Sequence, residues 1–279
     1  KPLISILNEN GYIVDVAARD NLKEKNGLKI DNVNNIYDIP FSRSPINRNN
    51  IEAYKELKEI IIKNEYDIIH CNTPMGGIIT RLIKKNNKDI KAKIIYTAHG
   101  FHFYKGAPIV NWLVYYPIEK YFSKYTDVLI TINEEDYKTA KSKFKNVNVQ
   151  KINSTGVKLK KFEDIMTEQE KSLIKKDLKV QKEDFVIVNI GELNKNKNQI
   201  MQLKSMKKLV EEGNTNIKLF ICGNGPLEEF YKQYIQENNL TNNVILLGYR
   251  TDVNKILQIA NCVISTSLRE GLGINVLEA

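Results

Sequence analysis

The sequence predicts an α/β protein with two doubly wound parallel sheets. Short runs of β-branched and other apolar residues alternate with longer amphipathic segments along all 279 residues, which is the pattern of successive βα units. The apolar runs are nearly continuous, as is typical of parallel strands buried on both faces. The alternation loosens once, over residues 153–182, and then starts again, so we expect two domains joined by a connection.

The N-terminal half begins with the end of a helix and continues as a series of βα units. Residues 2–7 predict a helix that Asn10 and Gly11 close. Residues 50–64 predict a helix because apolar side chains recur there at helical spacing. The predicted strands of this half cover residues 12–18, 35–39, 67–72, 93–98, 127–133 and 147–152.

The second half repeats this pattern after a polar, lysine-rich connection. Its predicted strands cover residues 185–190, 218–222, 243–247 and 262–265, with helices between them. We expect an N-terminal domain over residues 1–155, a linker and entry helix over 156–182, and a C-terminal domain over 183–279. The chain starts without Met and stops inside a predicted helix, so we expect a fragment truncated at both ends.

The composition excludes several classes of protein. Hydrophobic residues make up 42% of the chain and charged residues 27%, which is too apolar for a disordered protein. No stretch of sequence approaches the ~20 apolar residues of a membrane-spanning helix. Cys71, Cys222 and Cys262 are few and widely spaced, so we expect buried free thiols in a reducing cytoplasm and neither disulfides nor a zinc site.

The net charge of +9 lies mainly in the first half. Lys and Arg outnumber Asp and Glu by 24 to 17 over residues 1–153 and by 18 to 16 over residues 154–279. Such a surplus agrees with an anionic partner, such as a phosphorylated substrate or an acidic membrane surface. A general bias of the chain towards lysine is the favoured explanation. Because the basic residues form no dense block, we expect no nucleic-acid partner.

Ligands of doubly wound sheets bind beyond the carboxyl ends of the strands, so functional residues are expected there. Four strand ends carry unusual residues, over positions 70–77, 97–102, 191–198 and 222–227. A strand that leads into a glycine-rich turn and a helix N-terminus can bind phosphate through free backbone N–H groups. Lys195 or Lys197 beside such a turn would neutralise a diphosphate. Each turn alone is weak support, since glycine also serves simply to make a βα turn.

Among the three histidines, His99 is the best candidate for acid/base chemistry or a polar contact with substrate. It follows an apolar strand and precedes Gly100, so it would point into a crevice between the domains. The alternative is a hydrogen-bonded structural histidine at the end of a strand. For His70 and His102 that structural interpretation is favoured.

The most specific pattern lies after the last predicted strand, where Glu270 and Glu278 are separated by seven residues. If residues 271–273 form a turn and a helix starts nearby, Glu270 lies on a loop and Glu278 about two turns into the helix, on the same face. Paired carboxylates suit the neutral hydroxyls of a sugar or ribose, whereas they repel phosphate. The pattern therefore favours a nucleotide-sugar site.

These motifs resemble those of the family 4 glycosyltransferases, retaining enzymes of the GT-B fold. The histidine-glycine loop at 97–101, the turns at 191–198 and 223–226 and the Glu270/Glu278 pair occur in the family's order over nearly the whole chain. The segment 99–108 looks most like bacterial enzymes that assemble capsular or exopolysaccharide repeat units. The resemblance implies two Rossmann-like domains facing a crevice, with the acceptor on the N-terminal side and the nucleotide sugar on the C-terminal side.

The resemblance also implies a role for each matching residue. Lys197 would contact the donor diphosphate, Glu278 the ribose, and Glu270 and His99 the transferred sugar as the catalytic pair. The expected donor-binding residues are Gly191, Lys195, Lys197, Gly223, Gly225, Arg269, Gly271, Leu272, Gly273, Ile274 and Glu278. The expected residues on the acceptor side are His70, Thr73, Gly100 and Phe101.

The implied reaction is glycosyl transfer from a nucleoside diphosphate sugar, with a UDP-sugar as the default donor, and retention at the anomeric carbon. The resemblance implies neither a cofactor nor a metal ion, and the absence of an Asp-x-Asp motif from the chain agrees with this. Two departures from the family matter. Many members carry Arg where this chain has Glu192, so Lys195 or Arg269 must compensate or the phosphate is held differently. The first strand with its glycine-rich loop, and the last helices, are missing.

Aromatic residues cluster between positions 101 and 125, together with Lys105, Lys120 and Lys124. Aromatic and lysine residues on one amphipathic stretch suit the membrane interface, where a lipid-linked acceptor would lie. We therefore predict a cytoplasmic protein that binds peripherally to the inner leaflet. A helix packed in the core of the domain, with its tyrosines at the rim, is an equally supported alternative.

Two other functions fit the same architecture. A nucleotide-sugar 2-epimerase also binds its ligand between two such domains, but it needs several acidic general bases and this chain shows chiefly the Glu270/Glu278 pair. A catalytically silent sugar-nucleotide-binding subunit draws support from Glu192 in place of Arg.

Overall fold

A computed structural model of the chain describes residues 2–19, 30–145, 147–153, 160–271 and 273–279. It divides into two compact units, Lys1–Thr155 and Gly156–Ala279. Each unit is built from parallel strands alternating with helices. The alternation of apolar runs and amphipathic segments therefore predicts the fold class correctly, since buried parallel strands are apolar throughout.

The first unit contains a two-stranded and a four-stranded parallel sheet. The strands are β1 (Val16–Ala18), β2 (Ile36–Asp38), β3 (Ile68–Cys71), β4 (Lys93–Ala98), β5 (Val128–Thr131) and β6 (Asn148–Lys151). The larger sheet has the order β3-β4-β5-β6, and β1 pairs with β2. The helices are α1 (Pro2–Glu9), α2 (Asn49–Asn64), α3 (Pro74–Asn86), α4 (Ile109–Phe122) and α5 (Glu134–Lys143), and a 3₁₀ turn (Ser123–Tyr125) follows α4.

Local sequence signals determine where these helices begin. Thr73 is the N-cap of α3, its hydroxyl accepting the N–H of Gly76 at 3.3 Å, and Pro74 occupies the first turn. Asn133 caps α5 in the same way, through Asp136 at 2.8 Å. Both caps lie directly after a strand of the large sheet, so each helix starts at the carboxyl edge of that sheet.

A buried ion pair joins α3 to α4. The Arg81 guanidinium donates to Glu119 Oε2 at 2.8 Å and to the Gly77 carbonyl at 2.8 Å, and it lies 4.3 Å from the centroid of the Tyr96 ring. The side chains of Arg81 and Glu119 are 1% and 10% exposed. Gly77 leaves room for this arrangement, because a Cβ there would lie 2.9 Å from the Tyr96 ring.

The second unit contains a four-stranded parallel sheet of order β10-β7-β8-β9. Its strands are β7 (Phe185–Ile190), β8 (Ile217–Cys222), β9 (Val244–Gly248) and β10 (Cys262–Val263). The helices are α6 (Lys160–Glu163), α7 (Glu168–Asp177), α8 (Gln199–Glu211), α9 (Glu228–Glu237), α10 (Val253–Leu257) and α11 (Ile274–Leu277). Helix α7, which lies in the predicted linker, starts with a capping box of Thr167 and Glu170.

Two strands match the sequence prediction and others are shorter, including the central strand β5, which was predicted over 127–133 and covers Val128–Thr131. Residues 93–98 and 185–190 form strands with the predicted bounds. By contrast, the strand predicted over 12–18 covers only Val16–Ala18, and the one predicted over 262–265 covers only Cys262–Val263. β1 and β10 each pair with one neighbour. β10 pairs only with Ile187 and Val188 of β7, and beyond them the Asn189 side chain donates to the Ile264 carbonyl.

Both faces of the second sheet are buried, which fits its apolar strands. Val186 and Val188 of β7 pack with Phe220 and Cys222 on one face, and Leu219 and Ile221 pack with α8 and α9 residues on the other. No helix among the residues described here combines the length and apolar composition needed to cross a bilayer.

Candidate functional site

The carboxyl ends of β7 and β10 bring together two charged residues that the sequence analysis singled out. Lys197 Nζ lies 2.6 Å from Glu270 Oε1, and the two side chains are 23% and 26% exposed. Since β10 pairs with β7 in parallel, both strands end at the same edge of the sheet. A cation and a carboxylate, 73 residues apart in sequence, thus form one partly exposed pair.

Two loops carry this pair and are bonded to each other. We call residues 191–198, after β7, the Lys197 loop, and residues 264–271, after β10, the Glu270 loop. The backbone N–H of Leu268 donates to the Asn196 carbonyl at 2.8 Å. In return, Asn196 Nδ2 donates to the Arg269 carbonyl at 2.8 Å. One bond is between backbone groups and the other comes from a side chain, and together they link the two loops beyond the end of β10.

The predicted donor-binding glycines Gly223 and Gly225 allow close contact between two backbone segments. Gly223 has φ 148°, and a Cβ there would lie 2.0 Å from the Gly191 carbonyl oxygen. A Cβ on Gly225 would lie 2.4 Å from the Leu193 carbonyl oxygen. Only glycine fits such contacts. The N–H groups of Gly191 and Gly223 donate to the carbonyls of Cys222 and Gly248, so a donor contact by these glycines stays a prediction.

The segment that follows Glu270 differs from the prediction in one respect. Helix α11 begins only at Ile274, and its C-cap is Glu278, so Glu278 lies about one turn from the helix start and not two. The reason is that Gly273 has non-helical angles, φ −73° and ψ 73°, which delay the helix. Leu272, also predicted to bind the donor, lies outside the described residues. The roles predicted for Gly271, Gly273, Ile274 and Glu278 remain predictions.

Glu192, which stands where many family members have Arg, is turned towards its own loop. Its Oε2 accepts a hydrogen bond from Asn194 Nδ2 at 3.1 Å, and its carbonyl accepts one from Gln199 Nε2 at 3.1 Å. Asn194 Oδ1 in turn accepts the N–H of Lys197 at 2.9 Å. Glu192 therefore helps to shape the turn that presents Lys197. Compensation by Lys195 or Arg269 stays a prediction.

In the first unit, the predicted residues lie at the carboxyl edge of the large sheet. His70 Nε2 lies 2.8 Å from Thr97 Oγ1, across the adjacent strands β3 and β4. Burial lowers the pKa of His99, and burial together with the nearby His99 lowers the pKa of His70. Both rings are therefore neutral at neutral pH, a state that suits hydrogen bonding to hydroxyls.

Two residues predicted for the acceptor side serve the fold. Thr73 uses its hydroxyl to cap α3, as described above. The Phe101 side chain is 4% exposed and stacks on Phe103 with ring centroids 4.7 Å apart, so it belongs to the core, and its role towards an acceptor stays a prediction. Its backbone N–H donates to Asp136 Oδ2 at 3.0 Å. Gly100, with φ 135°, makes the bend between His99 and this anchored phenylalanine.

Several polar residues around the two loops were not predicted from the sequence. Three of them are buried or half-buried, namely Asn189, Gln202 and Thr266. Asn189 and Gln202 donate hydrogen bonds to the Glu270 loop, and Thr266, within that loop, donates to the Lys197 loop. Asn189 interrupts an otherwise apolar strand, which is a signal that sequence reading can detect. Gln202 carries no such signal, since a single glutamine on an amphipathic helix is ordinary.

The lowered pKa of His70 and His99 predicts that the first unit loses stability in mild acid. Between the pKa in the folded state and the ordinary value of 6.5, the unfolded chain binds more protons, so stability falls as pH falls through this range. We expect the Tm of the full-length protein to fall between pH 7.5 and pH 5.5. His70→Gln, which cannot titrate, should lessen that fall, and an unchanged slope would contradict the assignment.

Comparison with known proteins gives the same result for both units. Residues 1–133 match the family described as "Glycosyl transferase 4-like", and residues 170–279 match the family described as "Glycosyl transferases group 1". The chain is 39% identical over 278 residues to EpsD of Bacillus subtilis (strain 168), a protein provisionally named a glycosyltransferase. The alignment covers 99% of this chain and 71% of EpsD.

Two further proteins extend the comparison. Over 240 residues the chain is 30% identical to UDP-Gal:alpha-D-GlcNAc-diphosphoundecaprenol alpha-1,3-galactosyltransferase of Escherichia coli, covering 82% of this chain and 61% of that enzyme. The structure of Anabaena HepE in complex with UDP-glucose superposes with a TM-score of 0.73 at 15% identity, covering 99% of this chain and 72% of HepE, and shows that the fold is shared. The chain therefore belongs to the group 1 and 4-like glycosyltransferases and has the GT-B fold.

Proposed function

We propose that this glycosyltransferase moves a sugar from a UDP-sugar to a lipid-linked saccharide during assembly of a bacterial surface polysaccharide, with retention at the anomeric carbon. The observation that carries the donor assignment is the Lys197–Glu270 pair at the carboxyl edge of the second sheet. An ammonium group suits a diphosphate, and a carboxylate suits the hydroxyls of a sugar. The E. coli relative is named for a UDP-sugar donor and a diphosphoundecaprenol acceptor, which supports the class of both substrates.

In this proposal, each charged residue acts on a different part of the donor. Lys197 neutralises the negative charge that grows on the diphosphate as the bond to the sugar breaks, and no metal ion is required for that role. Glu270 accepts hydrogen bonds from hydroxyls of the transferred sugar and holds it for attack. Glu278 contacts the ribose. The neutral His99 supplies a polar contact to the donor sugar near its reacting carbon.

The test is a turnover assay with the full-length protein that contains this chain. The assay pairs UDP-glucose, UDP-galactose, UDP-N-acetylglucosamine and GDP-mannose with undecaprenyl diphosphate saccharides, and NMR determines the anomeric configuration of the product. We expect one UDP-sugar to give an α-linked product. Isomerisation of the sugar nucleotide without acceptor would identify the epimerase, and binding without turnover would identify the silent subunit.

Helix α4 supports peripheral membrane binding as part of the same proposal. Its residues Ile109, Val110, Leu113 and Val114 are between 46% and 75% exposed, and this spacing places them on one face. The opposite face packs on the core through Trp112 and Tyr116. Both interpretations of the aromatic segment, a helix packed in the core and a helix at the membrane interface, therefore draw support from α4. Trp112 packs towards the core, and an aliphatic face stays exposed.

Two lysines lie against tyrosines of the same helix. Lys85 Nζ lies 5.4 Å from the centroid of the Tyr121 ring, and Lys120 Nζ lies 5.5 Å from that of Tyr116. An apolar helix face bordered by lysines and tyrosines matches the interface of an anionic bilayer, where apolar side chains insert and ammonium groups meet lipid phosphates. We place the protein at the inner face of the cytoplasmic membrane, where lipid-linked saccharides are extended.

Leu113→Asp is expected to weaken binding to anionic liposomes by about tenfold or more, because one inserted leucine contributes about 2 kcal/mol. Co-sedimentation of the full-length protein with phosphatidylglycerol vesicles measures the effect. Leu173→Asp on α7, a leucine that is 67% exposed, is the matched control. Equal loss of binding in both variants, or none in either, would contradict a role for α4.

A further inference from the structure

The Glu270 loop is held mainly by side chains, because β10 ends after two residues. Asn189 Nδ2 donates to the Ile264 carbonyl at 2.9 Å, and Asn196 Nδ2 donates to the Arg269 carbonyl at 2.8 Å. Asn198 Nδ2 donates to the Thr266 carbonyl at 3.3 Å. Three amides thus supplement the two backbone bonds of this loop, from the Ile264 N–H to the Val188 carbonyl and from the Leu268 N–H to the Asn196 carbonyl. The position of Glu270 depends on these side chains.

Thr266 lies at the centre of this network. Its hydroxyl oxygen is 2.8 Å from Gln202 Nε2, 3.0 Å from the Asn198 carbonyl and 3.2 Å from the Lys197 carbonyl. A hydroxyl has one proton to donate, so it accepts from Gln202 and shares its proton between the two carbonyls. One side chain of the Glu270 loop therefore holds the backbone of Lys197 itself.

Gln202 restricts the hydroxyl to this orientation. Its side chain belongs to α8 and is 2% exposed, and within the described part of the chain its Oε1 is buried without a hydrogen-bond partner. A buried unpaired carbonyl destabilises a protein, so an apolar residue there would favour folding. The amide is nevertheless present, with its N–H group on Thr266. This arrangement fits a residue that serves the geometry of the site.

We propose that Thr266, oriented by Gln202, is a positioning residue that sets the separation of Lys197 and Glu270 and so the affinity for a nucleoside diphosphate sugar. The inference rests on the proposed donor site. Thr266 does not need to contact the donor, since it lies four residues before Glu270 and bonds the main chain of Lys197. Its loss lets the two loops separate, and the two charged groups no longer meet the diphosphate and the sugar together.

Three variants of the full-length protein separate positioning from stability. Thr266→Val keeps the volume but removes the hydroxyl, and Thr266→Ser keeps the hydroxyl. The double variant Thr266→Val/Gln202→Leu removes the hydroxyl together with the amide that it would leave unpaired. For each variant, the Tm and the dissociation constants of UDP and UDP-glucose are measured by calorimetry.

We expect Thr266→Val to lower the Tm and to weaken UDP-glucose binding by about tenfold, which is the change in affinity that the loss of one hydrogen bond produces. Thr266→Ser should bind within about twofold of wild type. The double variant should recover part of the lost Tm, because the Gln202 amide is gone while the Lys197 and Asn198 carbonyls still lose the hydroxyl, and its affinity stays about tenfold weakened.

Recovery of both Tm and affinity in the double variant would overturn the proposal, since Thr266 would then serve stability alone. Unchanged affinity in Thr266→Val would overturn it as well. If the wild-type protein bound neither UDP nor UDP-glucose, the proposed donor site would fail and the positioning role with it. That outcome is distinct, because it appears before any substitution is made.

Discussion

Replacing Lys197 with methionine is expected to lower kcat/KM for the sugar nucleotide by about 10²–10³-fold, the usual loss when one preorganised group that stabilises developing charge is removed. Methionine keeps the length of the chain while removing the ammonium group that lies 2.6 Å from Glu270. Steady-state kinetics of the full-length protein measures the effect. Lys204→Met, on the exposed side of α8, removes the same charge and should leave kcat/KM within about twofold of wild type.

Glu270→Gln is expected to act in opposite directions on binding and on turnover. Glu270 pairs with Lys197 at 2.6 Å, and its negative charge repels a diphosphate. Neutralising it should therefore tighten the binding of UDP, by about threefold to tenfold for partly exposed charges. Turnover should fall because a sugar hydroxyl loses a charged acceptor. Weaker UDP binding by Glu270→Gln would contradict the competition between Glu270 and the diphosphate.

Glu119→Ala is expected to destabilise the first unit by about 3–5 kcal/mol, because it leaves the buried Arg81 guanidinium without its counter-ion. Arg81 is 1% exposed, and its only charged partner in the described structure within salt-bridge distance is Glu119 at 2.8 Å. Urea unfolding, followed by the fluorescence of Trp112, reports on this unit. The loss should appear as a lower midpoint at an unchanged slope.

Two controls show whether the cost comes from the unpaired charge. Arg81→Met/Glu119→Leu removes both partners, and it should be close to wild type or more stable, since apolar residues of similar volume commonly replace a buried pair without loss. Lys138→Ala breaks an exposed pair with Glu134 at 3.6 Å and should cost less than about 0.5 kcal/mol. A double variant as unstable as Glu119→Ala would show that the loss of stability comes from changed packing and not from the unpaired charge.

Two strands in the middle of their sheets were predictable to the residue, because each is a run of mostly apolar side chains between two neighbouring strands. Residues 93–98 and 185–190 illustrate this, since their bounds match the sequence prediction. Other bounds were not predictable, because they depend on the pairing itself. The central strand β5 and the edge strand β10 are both shorter than predicted, and β10 ends although its neighbour β7 continues. The α4 helix shows a further limit. The pattern of aromatic residues locates it, but which face packs and which stays exposed depends on the core beneath it.

The sequence by itself determined the βα order, the glycine turns and the presence of Lys197 and Glu270 at strand ends, because burial patterns and turn residues act over a few neighbouring positions. Only the tertiary structure decided that these two residues meet, since 73 residues separate them and the pairing of β10 with β7 joins them. The same applies to the contact of Thr266 with Gln202. Sheet order and packing are properties of the whole chain, and a hydrogen bond between distant residues exists only after both are set.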